Sequence, residues 1–139
     1  MQQGDYIVGT FATGTGAGGV AFDGAHIWVS NYSANNVTKL RASDGANLGT
    51  FPVGVGPTTV TFDGANIWVA NFIGDSVSKL RASDGVNLGT FLAGNGPGSL
   101  AFDGTNIWAT NFDDDNVTKL RAADGGNLGI FPAGTDPAA

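Results

Sequence analysis

The chain has 139 residues, a formal charge of −6 and no cysteine. The acidic balance speaks against nucleic acid, which needs a basic footprint. The missing thiols exclude disulfide and thiolate chemistry, and no apolar run reaches the roughly 18 residues of a membrane-spanning helix.

From the N-terminus, MQQGDYIVGTF has neither a basic n-region nor an apolar core, so no signal peptide is expected. DYIVGTF (5–11) reads as a strand, and its Gly9-Thr10-Phe11 matches Gly49-Thr50-Phe51 further along. GTGAGG (14–19) is Gly-rich but opens a strand rather than a helix, so it is not a phosphate cradle. From there the chain aligns with itself at a forty-residue offset without gaps, over 11–50, 51–90 and 91–130. A period near forty indicates a solenoid, a propeller or an array.

Each repeat divides into four short extended runs. In the second they are TTVTF (58–62), NIWVAN (66–71), SVSKLRA (76–82) and NLGTF (87–91). Asp63-Gly64 separates the first two and Asp84-Gly85 the last two, and Asp-Gly between strand-like runs signals a hairpin because glycine accepts positive φ. The second run is apolar at adjacent positions, as suits a strand covered on both faces. Four antiparallel strands per unit is the geometry of a propeller blade. The fold expected is therefore all-β, with three blades of about 40 residues at 13–53, 54–93 and 94–134, preceded by an extra outer strand at 5–12 that acts as a clasp.

Propellers close with about 4–8 blades, and an open arc of three would expose two broad apolar faces. Homodimerisation into a six-bladed ring is the expected closure; a trimer would give nine blades. In such a ring 5–11 competes with 127–131 for one edge.

The frame GP…V-x-FDG-x-NIWVAN…V-x-KLR…DG resembles blades of the NHL, YVTN and virginiamycin B lyase-like group of β-propellers, over essentially the whole chain. The near-identity of the units fits recent amplification, deliberate repetition or excision from a longer protein. The lyase branch of that resemblance implies a metal-dependent enzyme that opens a cyclic peptide antibiotic, using a histidine general base beside Mg²⁺. The one histidine, His26, replaces Asn66 and Asn106 of the sister repeats after the first hairpin turn, on the face opposite the variable loops. No lyase residue carries over to a matching position, and no Ser/His or His/Cys constellation offers another chemistry. The expectation is a non-enzyme without a cofactor: a self-assembling scaffold or binding module, with a degenerate lyase-like enzyme as one alternative and a carbohydrate-binding propeller as another.

Residues present in every blade are read as structural. Trp28, Trp68 and Trp108 are assigned to packing between blades. Lys39, Lys79 and Lys119, with Arg41, Arg81 and Arg121, are assigned to charges held in solvent or paired with turn aspartates. What varies is the loop between strands two and three: YSANN (32–36), FIGDS (72–76) and FDDDN (112–116). Candidate ligand residues are Tyr32, Phe72, Phe112 and Asp75, for a small ligand or glycan on that face. Asp113, Asp114 and Asp115 are candidate oxygen donors for Ca²⁺, without EF-hand spacing. A soluble chain without nucleic-acid or membrane partners is expected; its compartment is not encoded in these residues.

Overall fold

The structure is a computed structural model, and it describes residues 9–134. These form twelve strands in three four-stranded antiparallel sheets, each with its strands in sequential order. The first blade holds β1 (Ala17–Phe22), β2 (His26–Asn31), β3 (Asn36–Arg41) and β4 (Asn47–Pro52). The second holds β5 (Pro57–Phe62), β6 (Asn66–Asn71), β7 (Ser76–Arg81) and β8 (Asn87–Leu92). The third holds β9 (Pro97–Phe102), β10 (Asn106–Asn111), β11 (Asn116–Arg121) and β12 (Asn127–Pro132). The architecture is that of β-propeller blades, as the four strand-like runs per repeat imply. Among the described residues no helix is long and apolar enough to cross a membrane.

Strand boundaries follow side-chain chemistry. The middle strands of the second blade are covered on both faces, β6 buried from Ile67 to Asn71 and β7 from Ser76 to Leu80, whereas burial alternates along β10 at the open end. The outer strands β4, β8 and β12 are mostly exposed and carry the polar residues that a wet edge requires. The first strands β1, β5 and β9 of successive blades are neighbours, which places them innermost.

The core lies between blades. Trp28 and Val37 of blade 1 pack on Val60, Ile67, Val69 and Leu80 of blade 2. One repeat later, Trp68 and Val77 pack on Ile107, Ala109 and Leu120 of blade 3. Every junction is thus head to tail: one blade contributes its tryptophan, and the next contributes an Ile–Leu wall. The outer-strand phenylalanines complete it, with Phe51 5.7 Å from Trp28 and Phe91 5.9 Å from Trp68. Each of these rings also covers a glycine of the following blade. Gly85 (φ 76°) and Gly125 (φ 77°) leave no room for a Cβ beneath Phe51 and Phe91, so the Asp-Gly turn is glycine for its backbone and for the ring above it.

The lysines differ from expectation. Lys39 and Lys79 are buried rather than solvated. Each lies 5.2 Å from the ring centroid of Trp28 or Trp68, a cation–π distance. Lys39 Nζ donates to Ala82 O at 3.0 Å and Ser83 O at 3.3 Å, and Lys79 Nζ donates to Ala122 O at 2.8 Å and Ala123 O at 3.3 Å. A buried ammonium must be hydrogen-bonded, and the turn carbonyls of the next blade supply the acceptors. The arginines behave as expected, pairing with turn aspartates as Arg41–Asp44, Arg81–Asp84 and Arg121–Asp124.

The extra outer strand assigned to 5–12 lies partly outside the described residues. Residues 9–12 are described and form no strand.

Candidate functional site

The repeated frame first fixes the face on which the loops stand. The buried Asn31, Asn71 and Asn111 end the second strand of each blade. Asn31 Nδ2 donates to Asn36 Oδ1 at 2.8 Å and Thr38 Oγ1 at 2.9 Å, while its Oδ1 accepts Gly14 N at 3.1 Å. Asn111 repeats the pattern with Asn116, Thr118 and Gly94. At these two positions one amide ties the second strand to the third and to the incoming connection; Asn71 Nδ2 likewise donates to Ser76 and Ser78, while its buried Oδ1 has no hydrogen-bond partner among the described residues.

Asn35, Asp75 and Asp115 close the loops in the left-handed region, at φ 57°, 55° and 54°. Asn and Asp accept that conformation better than other non-glycine residues. Asn35 Oδ1 accepts Gly56 N at 2.9 Å, and Asp75 Oδ1 accepts Gly96 N at 3.0 Å. Each loop is thereby latched to the connection of the next blade. One oxygen of Asp75 is committed to this latch.

Three of the sequence candidates meet in one place. An open groove of about 500 Å³ between blades 2 and 3 is lined by Phe72, Ile73, Asp75, Asn95 and Asp113. Phe112 stands beside it, with its ring centroid 6.4 Å from that of Phe72 in a tilted pair. Tyr32 occupies the equivalent position in blade 1 and does not line the groove. These aromatics lie just past the strand ends rather than within the strands. Asn95, from the connection between β8 and β9, is missing from the sequence candidates, although it stands where the sister repeats carry Thr15 and Val55.

The three adjacent aspartates separate. Phe112–Asp114 forms a 3-10 turn, and Asp115 follows in the left-handed region. Asp114 is held by Asn95, accepting its N at 2.8 Å and its Nδ2 at 2.9 Å. Asp113 turns into the groove above Gly96. Among the described residues no group of three or more His, Asp or Glu side chains is placed to hold a metal ion.

On the opposite face, His26 lies in a shallow depression with Asp23, Phe62, Ala82 and Ser83. Its Nδ1 is 3.2 Å from Asp23 Oδ2, and that oxygen also accepts Trp28 Nε1 at 2.9 Å. The Trp–Asp bond recurs as Trp68 to Asp63 at 2.7 Å and Trp108 to Asp103 at 2.8 Å. The bond from Trp108, with the Asn106 and Thr105 backbone amides, lowers the Asp103 pKa to about 2. At Asp23 burial pushes upward, but bonds from Trp28, Ala25 and His26 outweigh it and the pKa is lowered. The five-residue spacing from Asp to Trp is the same in all three blades.

The fold has many relatives among solved structures. Hydrazine synthase from Kuenenia stuttgartiensis matches with a TM-score of 0.81 at 21% identity, over 97% of this chain and 40% of that one. The WD40 repeats of RRP9 match at 0.79 and 15%, over 90% and 41%. A protein of unknown function from Desulfotomaculum acetoxidans matches at 0.74 and 15%, over 87% and 44%. These likenesses show a β-propeller fold and nothing finer, and the chain spans less than half the length of each. No protein-family model matches the chain, and no curated protein matches it.

Proposed function

We propose that this chain is a non-catalytic, self-assembling propeller scaffold, of which two copies close a six-bladed ring and present the variable loops on one face. The observation that carries this reading is a difference in burial between equivalent residues. Val60 is 4% exposed against blade 1, whereas its blade 1 equivalent Val20 is 68% exposed. Phe22 is exposed where Phe62 and Phe102 are partly covered, and Ile27 is half-buried where Ile67 and Ile107 are fully buried. At the other end Trp108, Val117 and Lys119 are half-buried, while their counterparts in blades 1 and 2 are buried.

The two open faces are therefore the two halves of the same junction. A second copy offers Trp108 and Val117 to Ile27 and Leu40, and vice versa, repeating contacts that the chain already makes twice. Because the faces differ, the contact is head to tail, and two copies satisfy both ends at once. Static light scattering on the 139-residue chain is expected to give twice the 14.0 kDa monomer mass. A monomer persisting at high micromolar concentration would overturn the ring.

Within propellers, the GP…FDG-x-NIWVAN…KLR frame favours the NHL, YVTN and virginiamycin B lyase-like group. We assign no lyase activity, because the sole imidazole is bonded to Asp23 on the face opposite the groove. No turnover above blank is expected from a cyclic peptide antibiotic with Mg²⁺.

The groove favours a second reading. Two phenylalanine rings beside the Asp75, Asp113 and Asn95 side chains suit a sugar, whose C–H face stacks on an aromatic ring while its hydroxyls donate to carboxylates and amides. A glycan array probed with the wild type and Phe72→Ala tests it. Binding lost in the variant supports the site, and no wild-type signal removes it.

A further inference from the structure

Residues 9–12 belong to no sheet, yet Phe11 has a defined place. A Cβ built on Gly45 would collide with the Phe11 ring, as one on Gly85 would with Phe51 and one on Gly125 with Phe91. The local shape is also shared: a Cβ at Gly9 would lie 2.7 Å from Phe11 Cζ, and one at Gly49 would lie 3.0 Å from Phe51 Cζ. Phe11 thus occupies the socket that belongs to the outer-strand phenylalanine of a preceding blade. It lacks that blade's tryptophan and is 52% exposed. The mirror situation holds at the other end. Phe131 has its own tryptophan, 5.7 Å away at Trp108, but no glycine of a following blade to cover, and it is 42% exposed.

We infer that the Gly45 socket is the docking point for Phe131 of a second copy, and that Phe11 is a resident plug which that ring must displace. This deepens the proposed ring closure and rests on it. The socket admits one ring, so one of the two phenylalanines yields. Among the described residues, expelling Phe11 gives up a half-exposed side chain and no strand pairing. Expelling Phe131 gives up the Trp108 stack and the β11–β12 ladder from Asn116↔Pro132 to Leu120↔Asn127. The smaller loss is at Phe11, so the N-terminal segment weakens assembly without preventing it.

The test is a dilution series by sedimentation velocity on the full chain, comparing wild type, Phe11→Ser and Phe131→Ser. Residue 11 lies outside every sheet, so Phe11→Ser leaves the fold intact, and a deletion of residues 2–12 provides a second route to an empty socket. The dimer is expected to tighten about tenfold at each of its two seams when the plug is removed, about 1.4 kcal/mol per seam. Phe131→Ser is expected to loosen it, with urea unfolding confirming that blade 3 remains folded. If the wild type dimerises and Phe11→Ser weakens or leaves unchanged that dimer, the plug is wrong, and weakening identifies the N-terminal segment as a strand of the seam itself. If wild type, Phe11→Ser and the deletion are all monomeric at every concentration, the ring falls and the plug with it.

Discussion

At the scale of single residues, the repeated aspartates do more than shape turns. Asp23, Asp63 and Asp103 each accept the indole N–H of a tryptophan five residues on, satisfying a donor that would otherwise be stranded in an apolar junction. The Asp103 pKa is lowered from 3.8 to about 2, so this group contributes stability above pH 4 that is lost as the pH falls from about 4 to about 2. Asp103→Asn is expected to flatten the urea stability profile across that window while leaving the neutral-pH fold intact. An unchanged acid slope would refute the role of the Trp108 bond. The Asp–Gly–x–x–Ile–Trp spacing was readable in the sequence, but its meaning was not, because only the turn geometry brings the carboxylate back onto the indole.

At the scale of elements, strands and turns were legible almost throughout, since two-faced burial of β2 and β6 leaves an apolar imprint and Asp-Gly marks the hairpins. The tryptophans of the junctions were legible too, but the polar and glycine contacts between blades were not. A lysine in a strand reads as a solvated charge until the next blade brings the Ala82 and Ser83 carbonyls to Lys39 Nζ. Similarly, Gly85 reads as a turn residue until Phe51 is seen lying on it. Gly85→Ala meets both a positive φ and that ring, and is expected to cost about 1–3 kcal/mol in urea unfolding; a change within error would show that the ring shifts freely. The groove was half legible. Setting aside every repeated residue isolated Phe72, Asp75 and Asp113, but Asn95, which varies in the same way against Thr15 and Val55, lies in a Gly-rich connection read only as a joint, and it is Asn95 that disperses the acidic triplet by holding Asp114.

At the scale of the whole molecule, the chain carries a head and a tail of opposite character. Lys79 provides an internal standard for the open end. Replacing it with Met removes a charged hydrogen-bond donor from a buried junction and is expected to cost about 1.5–3 kcal/mol in the chain by itself. Lys119 stacks on Trp108 at 4.9 Å, but among the described residues it reaches no following blade. Lys119→Met is therefore expected to leave the dilute chain's unfolding midpoint nearly unchanged and to destabilise it only at concentrations where copies associate. Equal effects at all concentrations would argue against a second copy as the acceptor of that amine.

The separation between a constant junction and a changeable loop has a consequence for mixtures. The residues that join one blade to the next belong to the repeated frame and to one loop position, where Asn35 and Asp75 latch onto Gly56 and Gly96, whereas the rest of SANN, IGDS and DDDN is free to change. A seam of this kind recognises the frame and the Asn/Asp latch, and is blind to the other loop positions. Two populations with different loops, once mixed, would sort at random, and about half of the rings at equal proportions would display both sets side by side. Diversity could then arise by pairing rather than by lengthening the gene.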